Sequence, residues 1–272
     1  MEYKVYNENN VRVIVTDEQL INALHKPGTD LTVEVVVAMG ASRNKQFSPK
    51  LEEALRHSNQ KVRIESIYSL LNIGESGSIE KLKAMEKDIP ESDYLNGLSE
   101  KAILNSVLIR FEKGASSLKQ YFFEKDLNWK IKIGLLYNYS DHFLITEDDL
   151  YFIIDALDAC IQKNENWLKN IGKDDWEDVV IKGLEAVWIA SEQNSVLNML
   201  TNQYFEKISI IGSKILKSKI DPYAKEVVAI FSKHLPTQYA YEMLEPIMNG
   251  RAKGDLKKEL EKSLQILLQK ER

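Results

Sequence analysis

A turn recurs along this chain: an Asp or Asn, two residues, an apolar residue and then, in most copies, a base. It reads Asn59-Gln-Lys-Val62-Arg63, Asp126-Leu-Asn-Trp129-Lys130 and Asp221-Pro-Tyr-Ala224-Lys225, with a variant at Asp30-Leu-Thr-Val33-Glu34. Each copy stands where an apolar rhythm of helical length begins. An Asp or Asn ahead of a helix accepts a backbone N–H as its N-cap. The apolar residue then packs under the preceding helix, and the base one step on can reach the acidic turn of a neighbouring unit. A helix pair cannot bury its apolar stripe alone, so consecutive pairs must stack.

The rhythm itself supports that reading. Ile64, Ile67, Tyr68 and Leu71 recur at i, i+3, i+4 and i+7, as do Leu150, Ile153, Ile154, Leu157, Cys160 and Ile161. Trp176, Val179, Val180, Gly183, Leu184, Val187 and Trp188 continue one stripe for three turns. The last segment sets Leu256, Leu260, Leu264, Leu267 and Leu268 against a charged opposite face. Second helices of successive pairs are expected near Asp30, Lys61, Asp93, Asn128, Asp175, Asp221 and Gly254, with separations of 31, 32, 35, 47, 46 and 33 residues. The two longest units leave room for a short extra helix around Asn166–Ile171. Val33 to Val37 is locally β-prone, but its helical context argues for helix.

The first 15 residues are different. Tyr3, Val5, Val11, Val13 and Val15 alternate with polar residues around Asn7-Glu-Asn-Asn10, which is turn chemistry. They predict a short hairpin or extended cap over residues 1–15, followed by one solenoid over 16–272, since no Pro-, Gly- or Ser-rich linker divides the chain. The fold expected is all-α: a right-handed α/α superhelix of about six to seven antiparallel helix pairs.

The 26 residues from Pro49 to Gly74, carrying Asn59, Val62-Arg63 and the closing Gly74, resemble a HEAT repeat. In that family a polar turn and a Val-Arg pair join helix A to helix B, and a glycine often ends B. The likeness extends more loosely to residues 115–140 and 215–233. Ser66 and Ile133 stand where helix B usually has alanine, and Glu34 stands where a base is expected. The tetratricopeptide signature is absent. The resemblance implies a non-catalytic binding solenoid whose concave face holds a protein segment. Small acidic solenoids of this kind in bacteria include regulatory adaptors and immunity proteins that neutralise a basic toxin. It also opens an alternative, since some alkylpurine DNA glycosylases resemble HEAT solenoids. Asp126 and Trp129 would then work on the base, and Arg63, Lys130 and Lys132 on phosphates.

No motif demands catalysis. The chain lacks GxxxxGK[ST], HExxH, GxSxG, an EF-hand loop and any cysteine pair, and Gly74-Glu-Ser-Gly77 lacks the lysine and hydroxyl of a phosphate loop. His25, His57 and His234 fall in the last turns of expected helices, where a partly positive imidazole suits the dipole. His142 lies in a polar loop. Thr146-Glu-Asp-Asp149 has capping-box spacing, and Asp174-Asp175-Trp-Glu177-Asp178 opens a helix, where carboxylates are favoured. Cys160 lies on an apolar stripe and reads as a buried, inert thiol. No metal or other cofactor is expected.

Composition narrows the partner. A net charge of −5 gives no electrostatic footprint for nucleic acid. Hydrophobic residues at 44% and charged residues at 28% fit an ordinary folded domain rather than a disordered one. One cysteine excludes an internal disulfide, no stretch approaches the roughly 18 apolar residues of a membrane span, and Met-Glu-Tyr-Lys-Val does not begin like a secretory signal. A cytoplasmic monomer that binds another protein is expected, a basic one if acidic residues make the contact. The residues chosen for that contact are Arg63, Lys130, His142, Trp167, Asp174, Asp175 and Glu177. Arg63 and Lys130 start helices, Trp167 has no stripe to join, and the acids form a rim.

Overall fold

The computed structural model describes residues 1–9, 11–25, 31–87, 89, 99–114, 117–123, 131–132, 134–136, 145–162, 172–192, 197–250 and 252–271. The described residues are mostly helical, and they fall into two compact units, Met1–Gly114 and Ala115–Arg272.

The first unit opens with an antiparallel hairpin of β1 (Glu2–Tyr6) and β2 (Arg12–Thr16), in which Val5 faces Val13 and Tyr3 faces Val15. Alternation sends Val5 and Val15 into the core and leaves Tyr6 and Ile14 exposed, while Val11, ahead of β2, is exposed as well. Asn7 shapes the turn, its Oδ1 accepting the N–H groups of Asn9 and Val11 at 3.0 Å each. The hairpin lies against α1 (Asp17–His25) and α2 (Val33–Ser42), so the β-prone Val33 stretch is helix.

Helices α3 (Ser48–Ala54), α4 (Gln60–Ile73), α5 (Ser76–Met85) and α6 (Glu100–Lys113) complete the unit. Helix α2 packs on α4 and α4 on α6, while α3 packs on α4 and α5. The α4 stripe is fully inside: Val62, Ile64, Ile67, Tyr68 and Leu70 are each about 1% exposed or less. At ~1.5–3 kcal/mol for each large apolar side chain, this burial outweighs any helix propensity. Asn59 caps α4 by accepting the Lys61 N–H at 2.9 Å, and Gly74 ends it in the left-handed region at φ 71°, which an L side chain would enter only with strain. Helix α6 runs from Glu100, and the helix start expected near Asp93 lies outside the described residues. Ser99 is its cap, accepting the Ala102 N–H at 3.1 Å, and a serine lay outside the Asp/Asn turn pattern.

The second unit holds α7 (Leu118–Phe123), α8 (Glu147–Gln162), α9 (Lys173–Glu192), α10 (Asn202–Lys217), α11 (Pro222–Ser232), α12 (Thr237–Met248) and α13 (Gly254–Lys270). Its contacts form two rows. Helices α8, α10 and α12 pack in one, α9, α11 and α13 in the other, and α8/α9, α10/α11 and α12/α13 join the rows. Asp221 caps α11 through the Tyr223 N–H at 2.8 Å, beside a Pro222 that has no N–H to satisfy. Lys225 bends back to donate to the Ser218 carbonyl at 2.6 Å. Among the described residues, no helix is long and apolar enough to cross a membrane.

Candidate functional site

Helices α7, α8 and α10 enclose an open cleft of about 340 Å³, lined by Lys119, Asp148, Tyr151, Phe152, Asp155, Thr201, Gln203 and Tyr204. The start of α8 sets the phase of one wall. Thr146 and Asp149 form a reciprocal cap: the Thr146 N–H donates to Asp149 Oδ2 at 3.0 Å, and the Asp149 N–H to Thr146 Oγ1 at 3.3 Å. From that start, Asp148, Tyr151, Phe152 and Asp155 share one face at i, i+3, i+4 and i+7. The apolar face carrying Leu150, Ile153, Ile154, Leu157 and Cys160 is buried. The other wall is α10, which is held from behind by Phe205 stacked on Tyr239 with ring centroids 5.7 Å apart, and by Ser209 donating to the Tyr239 carbonyl at 2.9 Å.

Asp155 is the floor, with a side chain only 7% exposed. Lys207 Nζ donates to its Oδ1 at 2.6 Å, Lys119 Nζ pairs with its Oδ2 at 2.5 Å, and the Tyr204 hydroxyl donates to Oδ2 at 3.1 Å. Burial pushes this carboxyl up, but the hydrogen bonds from Lys119 and Lys207, with their charges, outweigh it and hold Asp155 below the usual range. The two lysines are not equivalent. Lys207 is 27% exposed and its ammonium lies 4.9 Å from the Tyr204 ring centroid, whereas Lys119 is 57% exposed. Ion pairs at such exposed positions contribute only about 0–1 kcal/mol, so the Lys119 arm, though short, is the more solvent-screened one.

Tyrosines form the side of the cleft. Tyr151 and Tyr204 meet with ring centroids 4.4 Å apart at 59°, and the Tyr151 hydroxyl donates to Glu147 at 2.9 Å. That bond raises the Tyr151 pKa; burial first, and then Asp155, raise that of Tyr204. Both phenols are therefore neutral at physiological pH. Of the three acids opening α8, Asp149 is spent in the cap and Glu147 on Tyr151, while Asp148 is exposed at the cleft with no bond among the described residues.

The residues expected from sequence fare differently. Arg63 stands in the first turn of α4, where its Nε and terminal nitrogen clamp Glu100 of α6 at 2.9 and 2.8 Å, and its other arm donates to the carbonyls of His57 and Ser58. Glu100 is 1% exposed, so this is a base tied to the acidic first turn of another helix. Glu177 in α9 pairs with Lys173 at 3.3 Å. Asp174 and Asp175 belong to the first turn of α9, but their side chains lie outside the description. Lys130, His142 and Trp167 lie outside the described residues, as do Asp126, Trp129 and the short helix expected at Asn166–Ile171.

Cys160 is fully buried and its thiol is pushed up to about 12 by desolvation. Burial, with Lys233 nearby, lowers His234, which is neutral at pH 7 where a partly positive ring was expected at a helix end. Among the described residues, no group of three or more His, Cys, Asp or Glu side chains gathers as a metal site would require.

The cleft was not assembled from sequence. Its charged and aromatic members come from three helices and are spread over Lys119 to Lys207. One signal was present: Asp155 sits beside an otherwise apolar stripe on α8, and Tyr204 with Lys207 repeats the aromatic-plus-charge pairing on α10. No protein-family model matches this chain, and no curated protein matches it.

Proposed function

We propose that this chain is a non-catalytic, protein-binding α-solenoid: a right-handed superhelix of about six to seven helix pairs, similar in pattern to HEAT proteins, acting as a cytoplasmic monomer. The observation that carries the reading is the packing pattern within each unit. Helices meet their sequence neighbours and those two places along, as stacked hairpins do. Such stacks present long side-chain surfaces on fixed frames, and the tyrosine, lysine and aspartate cleft is one such surface. Two further facts favour binding over chemistry on DNA. The guanidinium of Arg63 is committed to Glu100, and Lys132 is fully buried, which leaves neither placed for a phosphate. The test is affinity capture by the full chain from its native lysate. It is followed by co-elution of the purified pair on size exclusion and by cross-linking. A stoichiometric complex is expected. Release of a modified base from alkylated DNA, with no co-eluting protein, would overturn the proposal.

A further inference from the structure

We infer that the cleft between α7, α8 and α10 receives an arginine side chain from a basic segment of the partner, and that Lys119 occupies that place in the free protein. The inference rests on the binding reading above. Charge gives the first argument. Residues 141–192 hold 13 of the chain's 41 acidic residues but only 4 of its 36 basic ones, so the rest of the chain is net basic. The acidity of the protein is therefore concentrated in the stretch that includes α8, and a partner drawn there by electrostatics is positively charged.

The floor gives the second. A 7%-exposed carboxylate keeps two held partners, Lys207 against the Tyr204 ring and the Tyr204 hydroxyl, and one exposed partner, Lys119, which is 57% exposed. An incoming cation can take the place of Lys119 at Oδ2, beside the Tyr204 hydroxyl, without stripping Asp155 of Lys207. Displacement then exchanges one exposed ion pair for another in a drier setting, where the electrostatic gain is larger.

The walls choose guanidinium over ammonium. A planar fork can lie along the neutral Tyr151 ring, pair with Asp148 at the mouth and reach Asp155 at the floor; an ammonium is a single point of charge. Asp148 is the acid free to do this, because Glu147 and Asp149 are already engaged.

The test uses the full chain and a fluorescein-labelled oligoarginine peptide, with oligoglutamate of equal length as its counterpart, followed by anisotropy at low and physiological salt. Asp148→Asn is expected to weaken oligoarginine about tenfold, the loss of one charge-assisted hydrogen bond. Lys119→Ala is expected to tighten it several-fold. Charge-matched controls come from the exposed pair Lys257–Glu261 on α13, 63% and 65% exposed. Glu261→Gln and Lys257→Ala should each change affinity by less than about twofold. Equal effects of Asp148→Asn and Glu261→Gln would overturn the cleft in favour of diffuse attraction. So would weakening by Lys119→Ala, or oligoarginine binding no better than oligoglutamate. Thermal melts of Asp148→Asn and Lys119→Ala, both at exposed positions, verify the fold. Loss of the cleft result while a protein complex still co-elutes would end this inference and leave the binding reading standing.

Discussion

Folding carries the Asp155 carboxylate out of water and supplies three donors in return. Because its folded pKa lies below the ordinary 3.8, the charged form is the one the fold prefers. That contribution is fully present above pH ~4, and it is lost as pH falls through the lower folded value. Asp155→Asn should therefore cost about 1–3 kcal/mol at pH 7, the range for losing a charged hydrogen-bond acceptor. Urea midpoints of the two proteins should differ by a constant amount from neutral to mildly acidic pH and converge below it. A gap that widens towards acid would contradict the assignment. Cys160 makes the opposite kind of prediction. With its thiol buried and raised to about 12, it should resist a thiol-specific reagent at pH 8 in the native protein and react in denaturant. Rapid native labelling would mean that α8 opens readily.

Helices are joined here by pairs and by close approaches, and each has a testable cost. Arg63 and Glu100 tie α4 to α6 with a two-armed clamp, and Glu100 is the buried member. Arg63→Ala leaves a buried carboxylate unpaired and should destabilise by about 3–5 kcal/mol, and Arg63→Ala with Glu100→Gln should cost less than the single change. Equal losses in both would show that the clamp itself, rather than the orphaned charge, is what matters. Two glycines mark close approaches of different stiffness. A Cβ on Gly40 would stand 2.7 Å from the Ser69 Cα, a backbone atom, whereas at Gly212 it would meet only side-chain atoms, the thioether sulfur and Cγ of Met243 and, at 3.1 Å, Val228 Cγ1. Gly40→Ala should cost about 1–3 kcal/mol, and Gly212→Ala less, as the methionine repacks and alanine favours helix. The turns that begin these helices could be read from sequence, because an N-cap is a local interaction: Asn59 and Asp221 do what their spacing says. The Thr146–Asp149 cap was equally local. The cleft was not readable, because Lys119, Asp155 and Lys207 meet only through packing of α7, α8 and α10. The Ser99 cap is equally local, but serine falls outside the Asp/Asn turn pattern that marks the other starts.

At the scale of the whole molecule, the described helices fall into two units divided between Gly114 and Ala115, and within each unit they pack chiefly on the next described helix or the one after. If the proposed solenoid reading holds, stability is a sum of each helix pair and its interfaces with its neighbours, without one central core whose loss unfolds everything. A lesion in the first unit should therefore be felt close to where it is made. Gly40→Ala strikes the crossing of α2 and α4, and the damage should pass to α6 through its contact with α4. Hydrogen exchange followed by mass spectrometry reads this directly, since local opening exposes amides segment by segment. Peptides from α2, α4 and α6 should exchange faster in Gly40→Ala than in the parent protein. Peptides from α9, α11 and α13, whose row lies in the second unit, should exchange at unchanged rates. Uniform acceleration along the chain would mean that the two units unfold as one cooperative body. A single transition would then carry the stability of both, and the additive account of the stack would have to be abandoned.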